Sequence, residues 1–206
     1  MNDILLALLP GNPEQDKVMR NLDLSYMSKD KYGEVSVIKQ GEELPELFLT
    51  GVDKIHILAH GKTGEIAGLS GDKFAEKLIK SFRQKNLNGK KIILYSCEAA
   101  NGGKDSVMQK MIEKFVGTGI TNFWLIAARG ETFIMSISGQ VRVLSNNDNS
   151  DKLSKAVETV RGDKRNEIAN DYLQEFGKGW KGIRVQENKK TRDLDEGEIR
   201  DYLVEG

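Results

Sequence analysis

His56, His60 and Cys97 are the chain's only imidazoles and its only thiol. A cysteine thiolate attacks carbonyl carbon, and an imidazole beside it can carry the thiol proton to a leaving amine. One Cys–His pair therefore suffices for acyl transfer. Other cysteine chemistry is poorly supplied, because one cysteine makes neither an internal disulfide nor a CxxC zinc site. The α/β-hydrolase arrangement is excluded as well. It needs a histidine after the nucleophile, and none follows Cys97.

The positions of these residues matter more than their number. KIHILAHG (54–61) and KKIILYSC (90–97) are apolar runs of strand length, and His60 and Cys97 fall at their ends. Between them Phe74, Leu78 and Phe82 recur at i, i+4 and i+8, one face of an amphipathic helix. A right-handed strand–helix–strand unit lays its parallel strands side by side or one apart, pointing the same way. Neighbouring strands lie about 4.8 Å apart. Both residues are therefore expected at the carboxyl edge of the sheet, where open α/β folds bind ligands. Gly61 is read as the residue that lets the backbone turn sharply and aim its N–H at an oxyanion, with the Cys97 N–H as second donor. His56 shares the His60 side of its strand but lies deeper, and is read as structural.

The remaining elements follow from pattern. DILLALL (3–9), EVSVI (34–38) and NFWLIAA (122–128) read as strands. Residues 105–116 read as a helix, 133–144 as a hairpin around Ser138-Gly139, and 42–50 as a short helix. The alternation predicts a three-layer α/β/α sandwich with a mostly parallel central sheet over residues 1–145. Residues 146–206 are read as a C-terminal part: a helical stretch over 151–176 broken near Arg161-Gly162, a basic strand over 179–188 forming a small β-flap, and an acidic tail.

Thirty-one basic residues balance 31 acidic ones, so no overall positive field favours nucleic acid. The balance hides a separation: residues 178–192 carry six basic residues and one acid, and 193–206 six acids and one base. No run approaches the roughly 18 apolar residues that span a bilayer. MNDILLALLP lacks the basic start and small-residue cleavage site of a signal peptide. The expected setting is the cytosol, or export without a cleaved signal.

HILAHGKTGEIAGLSGDKFAEKL followed by IILYSCEAANGG resembles the clan CD cysteine peptidases, which share the caspase-like fold. The closest likeness is to the self-processing cysteine protease domains of RTX and large clostridial toxins. It covers about residues 50–145. The resemblance implies a cysteine endopeptidase with Cys97 as nucleophile, His60 as general acid and base, and the Gly61 and Cys97 amides as the oxyanion hole. It implies a peptide or protein substrate and no cofactor for the chemistry. It also implies activation by inositol hexakisphosphate, for which Lys178, Lys181, Arg184, Lys189, Lys190 and Arg192 are the candidate contacts, with Arg129 and Arg142 beside them. A substrate strand is expected to add to the sheet near residues 122–130. The alternative reading is a catalytically silent module of the same fold, docking a phosphorylated ligand or protein partner through the basic stretch.

Overall fold

The computed structural model describes residues 3–27, 31–47 and 50–203. Its strands are β1 (Asp3–Leu9), β2 (Glu34–Lys39), β3 (Lys54–Ala59), β4 (Gly61–Lys62), β5 (Glu65–Ile66), β6 (Lys91–Tyr95), β7 (Phe123–Ala128), β8 (Thr132–Ile134), β9 (Val141–Val143), β10 (Trp180–Val185) and β11 (Thr191–Asp193). Its helices are α1 (Pro13–Val18), α2 (Leu24–Tyr26), α3 (Gly71–Phe82), α4 (Val107–Gly117), α5 (Ser150–Val157), α6 (Gly162–Asn170) and α7 (Glu196–Tyr202).

Seven strands form the central sheet in the order β11-β10-β7-β6-β3-β1-β2. The five from β2 to β7 are parallel, and β10 and β11 run antiparallel at one side. The chain winds from β1 outward to β2, then returns past β1 to β3. The strand order therefore reverses between β1 and β3, which opens a crevice at their carboxyl ends. β1, β3, β6 and β7 are apolar almost throughout because both of their faces are covered.

One face carries Ile57, Ile92, Leu94 and Leu125 under α3 and α4. Phe74, Leu78 and Phe82 of α3 are fully buried there, each worth roughly 2–3 kcal/mol of apolar burial. Gly71 lets α3 approach α4 closely, since a Cβ at this position would collide with the Val107 carbonyl. Ser106 caps α4 by accepting the Gln109 N–H at 3.1 Å. The opposite face carries Leu5, Ile93, Tyr95 and Ile126, covered by Met19, Met27, the β8–β9 hairpin, and Ile199 and Leu203. Together the layers make the expected α/β/α sandwich. A smaller cluster joins α5 and α6 to the hairpin through Leu153, Val157, Ala169, Met135 and Leu144.

Three expectations differ from what is found. Residues 42–47 form no helix; Leu47 donates its N–H to the Ser81 carbonyl at 3.2 Å and the segment lies extended along α3. Residues 48 and 49 of that expected helix lie outside the described residues. The basic strand is part of the central sheet, not a separate flap: β10 pairs with β7 from Trp180–Ala128 to Val185–Phe123. That pairing also fills the β7 edge, so no substrate strand can add along 123–128.

Candidate active site

The register of β3 against β6 places the dyad. Leu58 lies opposite Tyr95 in the last paired position, and two residues further along each strand stand His60 and Cys97. His56 and Leu58 share one face of the sheet with Ile93 and Tyr95, because side chains alternate along a strand. The only thiol and the second histidine follow the ends of these adjacent strands, at one edge of the sheet. His60 is exposed and Cys97 half-buried.

Beneath them lies His56, with no exposed surface. Its Nε2 is 2.9 Å from Asp3 Oδ2 and its Nδ1 3.0 Å from the Tyr95 hydroxyl. An ionised Asp3 takes the Nε2 proton, so Nδ1 accepts from Tyr95. Burial lowers the His56 pKa, against the pull of Asp3. Both ring nitrogens are engaged, and the residue ties β1, β3 and β6 together.

Gly61 is required for a reason other than the expected sharp turn. Its φ is not positive; the turn is made at Gly64 (φ 80) and Gly68 (φ 74). A Cβ on Gly61 would instead collide with Ser96 Oγ and come within 2.7 Å of the Cys97 carbonyl oxygen. Glycine here lets the two strand ends close on each other. After it β4 and β5 form a short hairpin, sealed where Ala67 N–H donates to the His60 carbonyl at 2.8 Å. Ser96 is fully buried, and its hydroxyl has no hydrogen-bond partner among the described residues. No turn or loop bond takes up the Cys97 N–H among the described residues.

The sulfur is held by Thr132, whose N–H donates to Sγ at 3.4 Å and whose Oγ1 lies 3.6 Å away. Thr132 opens β8 just past the carboxyl end of β7, and it was not foreseen from the sequence. Its signal was available, because the end of the next strand belongs to the same edge. Burial raises the Cys97 pKa; the Thr132 bonds oppose this, and the Glu131 and Glu98 carboxylates add to it. Partial desolvation lowers the His60 pKa, opposed by Asp16. Thiol and imidazole are thus both biased toward their neutral forms. They share no hydrogen bond among the described residues. Beside His60, at the strand-order reversal, opens a cavity of 460 Å³ lined by Pro10, Gln15, Gln40, Lys62, Glu65 and Gly68. A larger one of 620 Å³ lies away from the dyad, against β2 and Tyr32.

The six basic residues do not all converge: Arg184 and Arg192 are cross-strand partners on β10 and β11 and line one 550 Å³ cavity with Asn122, Gln186, Glu187 and Asn188, while Lys178 and Lys181 lie apart from it. Lys178 lies toward the carboxyl edge and pairs with Glu175 at 3.0 Å. Lys181 and Arg184 sit at odd and even places on β10 and so point to opposite faces. Arg184 lies at the amino edge, 3.8 Å over the Trp124 ring, and its NH1 donates to the Phe123 carbonyl at 3.3 Å. Lys189 and Lys190 are exposed in the β10–β11 turn. Arg192 forms a two-pronged pair with Glu198 at 2.8 and 3.1 Å. Arg142 is spent on the Gln174 carbonyl and Asn170, and Arg129 donates to the Trp180 carbonyl at 3.4 Å. Pairing of β10 and β11 with the sheet thus divides the compositional patch, with Arg184, Lys189, Lys190 and Arg192 at the hairpin end and Lys178 toward the carboxyl edge.

No group of His, Cys, Asp and Glu among the described residues could hold a metal ion, and no helix among them is long and apolar enough to cross a membrane. No protein-family model matches the chain, and no curated protein matches it.

Proposed function

We propose that the chain is a cysteine endopeptidase working through the His60–Cys97 dyad. One observation carries the reading: β3 and β6 are parallel neighbours whose register ends at Leu58–Tyr95, two residues before His60 and Cys97 at the carboxyl edge. The contact of Gly61 with Ser96 and Cys97 supports it, because it closes the two strand ends.

In this mechanism His60 takes the thiol proton as Sγ attacks the peptide carbonyl carbon. The carbonyl π electrons move to oxygen, and the Cys97 N–H donates to that oxyanion. His60 then gives the proton to the amine nitrogen as the C–N bond breaks, leaving an acyl thioester. A water molecule, deprotonated by His60, attacks the thioester. The C–S bond breaks, His60 returns its proton to sulfur, and the carboxylic acid product departs and ionises to solvent. Catalytic contacts that are long in a free enzyme tighten around the substrate.

The neutral bias of both groups favours a second reading, a silent module with an inert thiol. Peptide-library cleavage separates the two. The expected outcome is turnover that falls to the blank in Cys97→Ala and drops roughly 10²–10⁴-fold in His60→Ala, with both variants still folded. Wild-type activity in either variant, or an absence of turnover in the native chain, would sink the peptidase reading.

A further inference from the structure

Thr132 meets the sulfur because of where the β8–β9 hairpin leaves its backbone free. The hairpin pairs Thr132 with Val143, Phe133 with Arg142 and Ile134 with Val141. Leu144 N–H donates to the Glu131 carbonyl at 2.9 Å, and Met135 N–H to the Gln140 carbonyl at 2.8 Å. Bonded and unbonded pairs alternate along an antiparallel ladder. Glu131, Phe133 and Met135 therefore bond across the hairpin, while Thr132, Ile134 and Ser136 turn their backbone groups to the other side. Each of the three finds a partner there. Thr132 N–H donates to Cys97 Sγ at 3.4 Å, the Ile134 carbonyl accepts from Arg165 at 2.6 Å, and Ser136 N–H donates to Asn166 at 2.9 Å.

That outer edge of β8 is fixed at both ends. Arg165 and Asn166 belong to α6, and Arg165 is buried. At the other end Glu98 N–H donates to the Gly130 carbonyl at 2.9 Å, which ties the residue after Cys97 to the turn before Thr132. The Thr132 hydroxyl adds a second polar atom 3.6 Å from Sγ. A hydroxyl can accept or donate. It accepts from a thiol S–H and, once that proton is gone, turns its own hydrogen to the sulfur. The backbone N–H can only donate, and it bonds a thiolate more strongly than a thiol. Burial and the Glu131 and Glu98 charges disfavour a thiolate here, and the two Thr132 bonds oppose them.

Building on the peptidase reading, we propose that Thr132 is a third catalytic residue, whose N–H and hydroxyl take up the charge on Cys97 Sγ as His60 removes and returns its proton. Sulfur carries negative charge twice in the cycle. It does so when the S–H bond breaks and Sγ attacks the peptide carbonyl. It does so again when the C–S bond of the thioester breaks and its electron pair returns to sulfur. Thr132 lies against Sγ at both moments and exchanges no atom with the substrate. In the thioester between them the sulfur is a poor acceptor, so the stabilisation falls on the charged species alone.

Three variants test this. Thr132→Val keeps the N–H and the shape but removes the hydroxyl, Thr132→Ala removes it without a methyl group in its place, and Thr132→Ser keeps it. Losing one charge-assisted bond should cut the thiolate fraction about tenfold, of which the more basic thiolate regains part, so alkylation of Cys97 by iodoacetamide at pH 7 should slow about fourfold in Thr132→Val. The rate should approach the native one as pH rises, a convergence that loss of access would not give. In peptide cleavage kcat/KM should fall about tenfold, with kcat carrying most of the loss. Thr132→Ala should follow the valine variant, and Thr132→Ser should restore both rates. Native alkylation or native cleavage in a hydroxyl-free variant would overturn the inference and leave the peptidase standing. So would a serine variant as impaired as the valine. An absence of cleavage by the native chain above the Cys97→Ala blank would overturn the peptidase reading and the catalytic role with it.

Discussion

At the amino edge of the sheet Arg184 lies against Trp124 and donates to the Phe123 carbonyl, while Arg192 closes a two-pronged pair with Glu198. At the carboxyl edge, among the described residues, the Cys97 sulfur is held by Thr132 and the buried Ser96 hydroxyl has no partner, and burial and the Glu131 and Glu98 charges raise the thiol pKa. One end spends its charges on the protein itself. The other leaves the buried Ser96 hydroxyl without a partner among the described residues, which is a costly arrangement. The more basic region attracts attention in composition, while the proposed dyad stands at the other edge.

Substitutions can break this contrast, beginning with the largest effect. Gly61→Ala should push Ser96 and Cys97 away from the His60 loop. Overpacking of this kind costs about 1–3 kcal/mol, and misplacing the dyad should reduce turnover at least ~100-fold; urea unfolding and peptide cleavage read the two effects. An active, fully stable variant would show that the strand ends need not touch.

His56→Gln should come next, losing about 2–3 kcal/mol at pH 7.5 through its buried network. The folded pKa of His56 is depressed, so its contribution is present above the unfolded value near 6.5 and is lost as pH falls below it. Asp23 works in the opposite sense. Burial pushes its pKa up to about 6, so its contribution is full below the unfolded carboxylate pKa and is lost as pH rises through 6. Only the difference between variant and native chain isolates His56, and urea titrations should show that difference shrinking from pH 7.5 to pH 5. The smallest effect is expected at the amino edge. Arg192→Gln removes an exposed ion pair and should leave the unfolding midpoint and the cleavage rate unchanged.

Legibility in the sequence followed the range of the interaction. β3, α3, β6, α4 and β7 were readable because their apolar spacing is a local property. The position of His60 and Cys97 at one edge was readable because one crossover rule converts two local strands into a shared edge. The pairing of β10 with β7 was not, since an apolar strand does not name its partner. Thr132 reaches the sulfur through a hydrogen bond between residues 35 apart, a contact with no periodic trace. α7 had a local signature in Asp195 and Glu198, whose side chains form a capping box, yet it lay hidden in a stretch read only for its charge. Gly61 was singled out correctly but for the wrong cause, because a crowding partner from another strand leaves no mark in the local sequence.

The placement of β10 beside β7 also bears on the order in which the protein is made. During synthesis β7 leaves the ribosome long before Trp180–Val185 can cover it. In that interval a nascent chain presents an apolar strand, FWLIAA, with one row of backbone groups unpaired. Closure must wait for a contact of long sequence separation, which forms slowly. β10 thus acts as the seal on the β7 side of the sheet, and the interval before it arrives is when strand exchange and aggregation compete most strongly with folding.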